Sequence, residues 1–180
     1  MLASPEQWIR ALRAAAGPGT VPDLDGPPPS FRSPKDADGV LWAAVTPGAA
    51  PSALEAADRL LAARPGSSLA DAEGYLALEV WTECELSALH ALARLLRLAP
   101  TASRRARFAE LCRWHLEHTQ PDNATNRPWA VHVFAGSPEP ERVLYAETLL
   151  HNVSASDARH EPLSRWILLD AARELELADR

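Results

Sequence analysis

Two groups of residues hold the chemistry this sequence could perform. The first centres on Glu85, which in a helical register falls on the side of Leu78, Trp81, Leu89, Leu92 and Leu96, away from the polar residues of the same helix. A carboxylate on an apolar face must either be hydrogen-bonded or have its pKa raised. The second begins where the apolar face Phe108, Leu111, Cys112 of the next helix turns polar at His115 and Thr119, with His118 beside it. Gln120, Asp122, Asn123, Thr125, Asn126, Arg127, Trp129 and His132 follow directly. Ending one helix and starting another needs only one or two such groups, so this density exceeds what capping requires.

These residues suggest a polar pocket in which Glu85 and His115 are the catalytic acid or base. Asp122, Asn123, Asn126, Arg127, Trp129 and His132 would bind a small polar ligand such as a sugar, its hydroxyls meeting amides and its apolar face meeting indole. The competing expectation is structural. There Glu85 accepts hydrogen bonds from an Arg, a Trp indole or backbone amides, and the Asx-rich turn locks two helices with Arg127 bridging to Glu85 or Glu117. Geometry separates the two: beyond about 10 Å, Glu85 and His115 could not share a small ligand, and a common dry core would make the pair structural.

Other chemistries find less support. His115 and His118 could lean toward one site, completed by His132, Glu85, Asp122 or His151, but HExxH is absent and we assign no metal and no cofactor. Glu147 and His151 have the spacing of a helix-surface ion pair. Neither a Walker loop nor a GxGxxG turn occurs, and no Gx[ST]xG elbow presents a nucleophile. Cys84 and Cys112 lack CxxC spacing and read as packed, reduced thiols. Arg104, Arg105 and Arg107 read as a solvated face, and Asp170 as the partner of an Arg on another helix.

The net charge of −6 argues against nucleic acid, which calls for a basic stripe. No uninterrupted apolar stretch suggests a leader or a membrane span, so the expected setting is the cytoplasm without a membrane partner. Basic residues are nearly all Arg, with Lys35 the only lysine, as a GC-rich bacterial coding bias would produce. Apolar residues make up 47% of the chain, enough for a packed core at 180 residues.

The elements that must position these groups are helical. Ser4 with Pro5 starts a helix that Gly17 and Pro18 stop near 16. Residues 17–51 are crowded with Pro and Gly and read as an irregular arm packed on the surface, with 40–45 a short strand or pinned extended segment. Helices are expected from Ser52 to about 63, from 72 or 74 to 98, from Ser103 to 118, from Pro128 to 134, from 137–139 to about 153, and from 161–162 to about 178. On the longest helix, Glu79, Glu83, Ser87, His90, Arg94 and Arg97 form a polar stripe that reads as solvated.

The architecture these patterns imply is a single all-α domain over residues 1–180. It would be a bundle of about six or seven helices in consecutive antiparallel hairpins, a layout that could form part of an α/α toroid. The function they favour first is an interaction module holding a protein partner, with an exposed apolar patch around Trp8, Trp42 or Trp166. The alternative is a small-ligand-binding or hydrolytic domain built on the polar pocket. An acidic protein of this kind also suits a basic partner, as in a toxin–immunity pair.

Overall fold

The computed structural model of the protein describes residues 2, 4–29, 36–121 and 126–178. Among these the structure is all-helical: α1 (Pro5–Ala16), α2 (Ala37–Val45), α3 (Pro51–Ala63), α4 (Leu78–Leu98), α5 (Ala102–His118), α6 (Val131–Ala135), α7 (Pro140–Ala155) and α8 (Pro162–Ala178). Short 3-10 turns occur at Ala72–Gly74 and Asp157–His160. The chain forms two compact units, one built from α1, α6, α7 and α8, the other from α2 to α5.

In the first unit α1 packs on α8, and α6 packs on both α7 and α8. Ser4 caps α1 by accepting from the Gln7 amide, Pro5 occupies the first turn, and Gly17 ends the helix at φ +67 with its N–H donating to Ala14 O. A left-handed residue there is what glycine supplies at least cost. The Pro/Gly-rich stretch that follows is tacked to α8 by side chains. The Arg165 guanidinium donates to the carbonyls of Ala16, Gly17, Pro18 and Gly19, Trp166 Nε1 to Asp23 O at 2.9 Å, and Arg173 to Leu24 O at 2.6 Å. A segment with few apolar side chains thus satisfies its backbone through donors on a neighbouring helix. Asp170, sequestered from solvent, pairs with Arg173 at 2.7 Å on its own helix.

The second unit corrects two expectations with one element. Residues 37–45 form the helix α2, not a strand or extended segment, and Leu41, Trp42, Ala44 and Val45 are buried. Their target is the middle of the polar stripe on α4: Ser87, His90 and Arg94 lie under cover, not in solvent. Trp42 Nε1 donates to Ser87 Oγ at 3.0 Å, the Trp42 ring lies 5.7 Å from His90, and Arg94 donates to Asp25 O at 2.9 Å. Only the ends of the stripe, Glu79 and Arg97, are exposed.

α5 is capped by Thr101 rather than Ser103, and its arginines are not a solvated face. Arg104 is buried and forks onto Asp58 of α3, with Nε to Oδ1 at 2.7 Å and Nη2 to Oδ2 at 2.8 Å. Arg107, also buried, donates to the carbonyls of Arg64 and Ser67 and to Glu110. Arg105 alone of the three is exposed. Among the described residues no helix is long and apolar enough to cross a membrane.

Candidate functional site

Glu85 enters the core of the second unit because α4 places it one turn below Leu89 on the buried face, and its exposure is 0%. Its two carboxylate oxygens accept the backbone N–H groups of the turn that follows α3: Oε2 from Leu69 at 3.0 Å and Oε1 from Ala70. Trp81 Nε1 donates to Ala70 O at 3.3 Å, and Arg107 closes the same turn from the other side through its carbonyls. A carboxyl acceptor and a guanidinium donor therefore hold both polarities of one short loop. Burial pushes the Glu85 carboxyl up to about 7, against the opposing pull of the Ala70 and Leu69 amides and of Arg107 and Arg64.

His115 lies opposite, its Nε2 3.8 Å from Glu85 Oε2, also at 0% exposure. That separation is beyond hydrogen-bond reach. The Thr119 hydroxyl donates to His115 O at 2.8 Å, so its oxygen faces His115 Nδ1 at 3.3 Å as an acceptor. The proton accordingly sits on Nδ1, and Nε2 turns a lone pair toward Glu85 without a hydrogen-bond partner. Burial, helped by His118, pushes the imidazole down to about 3, so the ring is neutral at ordinary pH.

The structure brings Glu85 and His115 together, well inside the separation a shared ligand would need, and seals both from solvent. The remaining candidates belong to the first unit. Asn126 is exposed, and Arg127 pairs with Glu161 at 3.2 Å. Trp129 is buried with its ring 6.5 Å from Trp166, and His132 is buried on α6. Asp122 and Asn123 lie outside the described residues. Among the described residues no group of three or more His, Cys, Asp or Glu is placed to hold a metal ion.

Near the start of α4 the sequence reading had overlooked two features. The first is a polar cluster: Tyr75 Oη donates to Cys84 Sγ at 3.0 Å, and Cys84 lies 3.5 Å from Asp38 Oδ1. Burial and the Asp38 charge push the thiol up to about 12, the opposite of the lowered pKa a nucleophilic thiolate needs. The second is a run of exposed apolar side chains. Leu76 is fully exposed, Leu78 is 59% exposed and Val80 is 41% exposed. Leu78 had been expected on the buried face with Glu85, but α4 begins at this residue, so a continuous helical register from 72 does not apply to it.

The aromatic chain continues from this strip. Trp81 meets Trp114 edge-on at 5.9 Å, and Trp114 stacks on the exposed His118 at 4.9 Å with the rings 5° from parallel. By contrast Trp8, Trp42 and Trp166, around which an exposed patch was expected, are each 1% exposed. The signal that could have located the strip is charge: from Pro65 to Ala93 there is no Lys or Arg, and five carboxylates fall in that stretch. No protein-family model, no curated protein and no solved structure matches the chain.

Proposed function

We propose that the protein is an interaction module that docks a partner protein on the strip Leu76, Leu78 and Val80 at the head of α4. The observation that carries this reading is the exposure of three large apolar side chains within five residues, in a chain whose other large apolar groups are mostly buried. Singly scattered apolar residues on a surface need no explanation, whereas three large ones left exposed so close together in the chain give a partner something to cover at the head of α4. Fully covering an exposed Leu side chain returns about 1.5–3 kcal/mol, which Leu76 could supply in full and the partly exposed Leu78 and Val80 in part.

The acid–base reading has less to stand on. Neither Glu85 nor His115 meets solvent, and the Glu85 oxygens are engaged by two backbone amides. Glu85 holds the turn at Leu69 and Ala70, a positioning role rather than a chemical one.

A photo-crosslinking side chain placed at Leu76 or Leu78, in the cell that makes the protein, tests the proposal. A discrete heavier adduct is expected from both positions. The control is Leu144 on α7, 61% exposed and equally apolar. No adduct from 76 and 78, or the same adduct from Leu144, would overturn the reading.

A further inference from the structure

Glu85 and His115 face each other across a gap that has room for one proton. Nε2 of the ring lies 3.8 Å from Glu85 Oε2, both side chains are at 0% exposure, and Nε2 has no hydrogen-bond partner. A protonated Glu85 can point its O–H at the Nε2 lone pair. An ionised Glu85 beside the same ring would set a carboxylate against that lone pair in a core sealed from water, an unfavourable contact. The neutral imidazole has a second arrangement, because the hydrogen bond made by one ring nitrogen decides where the proton sits. A proton on Nε2 would give the carboxylate a third donor beside the Leu69 and Ala70 amides.

The far side of the ring can follow such a change. Nδ1 lies 3.3 Å from Thr119 Oγ1, whose own hydrogen goes to His115 O at 2.8 Å. Once the ring proton leaves Nδ1, that nitrogen is an acceptor and the Thr119 hydroxyl can turn its hydrogen toward it. His115 O is not orphaned by the rotation, since the Thr119 amide N–H donates to it at 3.0 Å. The surrounding charges come from every neighbouring element. Arg107 of α5 and Arg64, just past α3, favour the ionised carboxyl, and His118 of α5 disfavours a charge on His115. On α2, Asp38 approaches Cys84 at 3.5 Å and feels Asp36. On α3, Asp58 is paired with Arg104, and Glu55 lies 3.9 Å from Arg59 at the surface. In the turn before α4, Asp71 lies 3.8 Å from Arg64.

We propose that Glu85, His115 and Thr119 form a pH-sensitive relay, in which ionisation of Glu85 moves the His115 proton from Nδ1 to Nε2 and turns the Thr119 hydroxyl from His115 O to Nδ1. The imidazole carries one proton in both states, and the proton that Glu85 gives up goes to solvent, so no buried imidazolium forms. The Oε2–Nε2 gap closes to an ordinary hydrogen bond of about 2.9 Å as the tautomer changes. The relay carries the protonation state of the carboxyl that holds the Leu69–Ala70 turn to Thr119, the C-cap of α5. Burial sets the Glu85 transition at about 7 and keeps the ring neutral down to about 3, so the switch works across neutral pH. It does not depend on the docking reading above.

The test follows the ring nitrogens of His115 by long-range proton–nitrogen NMR on the full chain, isotope-labelled in its histidine rings, from about pH 5.5 to about pH 8.5 on either side of the Glu85 transition. Nδ1 should carry the proton at the acid end and Nε2 at the alkaline end, each form in at least about tenfold excess at its own end. Glu85→Gln should hold the proton on Nδ1 throughout, since a carboxamide N–H can donate to Nε2 at every pH. Glu117→Gln, at an exposed position of α5, should leave the change of tautomer intact. The wild type carries the test by itself if Glu85→Gln does not fold, because the chemical shift of the Glu85 carboxyl carbon should move with the same midpoint as the ring nitrogens. The same tautomer at both ends or a doubly protonated ring would overturn the inference. So would a tautomer change that persists in Glu85→Gln or departs from the midpoint of the Glu85 carboxyl.

Discussion

Glu85 Oε2 lies 3.8 Å from His115 Nε2, and neither side chain reaches solvent. The two groups titrate in opposite senses. Burial lifts the carboxyl from its ordinary 4.5 to about 7, and burial lowers the imidazole from its ordinary 6.5 to about 3. The folded protein therefore favours two neutral partners over a buried ion pair, as desolvation of both charges would dictate.

The pH dependence of stability follows with a definite sign for each. A carboxyl whose folded pKa is raised contributes stability that is present below about 4.5 and is lost as pH rises to about 7. An imidazole whose folded pKa is lowered contributes stability that is present above about 6.5 and is lost as pH falls toward about 3. In urea unfolding, the stability difference between wild type and Glu85→Gln should fall with pH between 4.5 and 7, and that between wild type and His115→Asn should rise between 3 and 6.5. Differences that are flat in both windows would contradict the assignment.

Arg107 holds the carbonyl side of the turn that Glu85 holds by its amides. Arg107→Ala should leave the carbonyls of Arg64 and Ser67 without this donor and cost about 1–3 kcal/mol. Hydrogen exchange should speed up first at the Leu69 and Ala70 amides, which Glu85 can retain only while the turn stays in place. Unchanged exchange at those amides would mean that the two ends of the turn are held independently.

The helix α2 makes a third prediction. Leu41 is completely buried in it, so Leu41→Ala should cost about 2–5 kcal/mol, as large-to-small core changes do. A surface arm at this position would lose only a few tenths of a kcal/mol. Thermal or urea denaturation of the one variant discriminates between the two.

What the sequence made legible was periodic. The α1 cap at Ser4–Pro5, the Pro162 start of α8, the helical reading of 131–135 over a strand and the burial of Glu85 all follow from local pattern, and the structure has them. What escaped it was what covers what. The stripe through Ser87, His90 and Arg94 has the period of a solvated face, but periodicity cannot report that Trp42 arrives from a Pro/Gly-rich segment to lie on it. Arg104 and Arg107 were misread for the same reason, since their partners Asp58, Arg64 and Ser67 lie some forty residues away in the chain. Leu76, Leu78 and Val80 escaped because an apolar residue in a helical pattern is taken as core unless something shows that nothing packs on it.

The docking strip sets apart stability and binding. Leu76→Ser replaces a side chain already in water and should change stability by no more than about 0.5 kcal/mol, whereas the partly buried Leu78 and Val80 should each lose no more than about 1.5 kcal/mol on change to Ser. A loss of several kcal/mol from any of them would show that the side chain is packed in solution and is not available to a partner.

The most direct measurement is hydrogen exchange on the protein alone and on the protein carrying the adduct trapped through Leu76 or Leu78. Protection on adduct formation is expected in residues 74–83, with the Leu69 and Ala70 amides already protected in the free protein by Glu85. Protection that appears elsewhere while 74–83 exchanges as it does in the free chain would contradict the account.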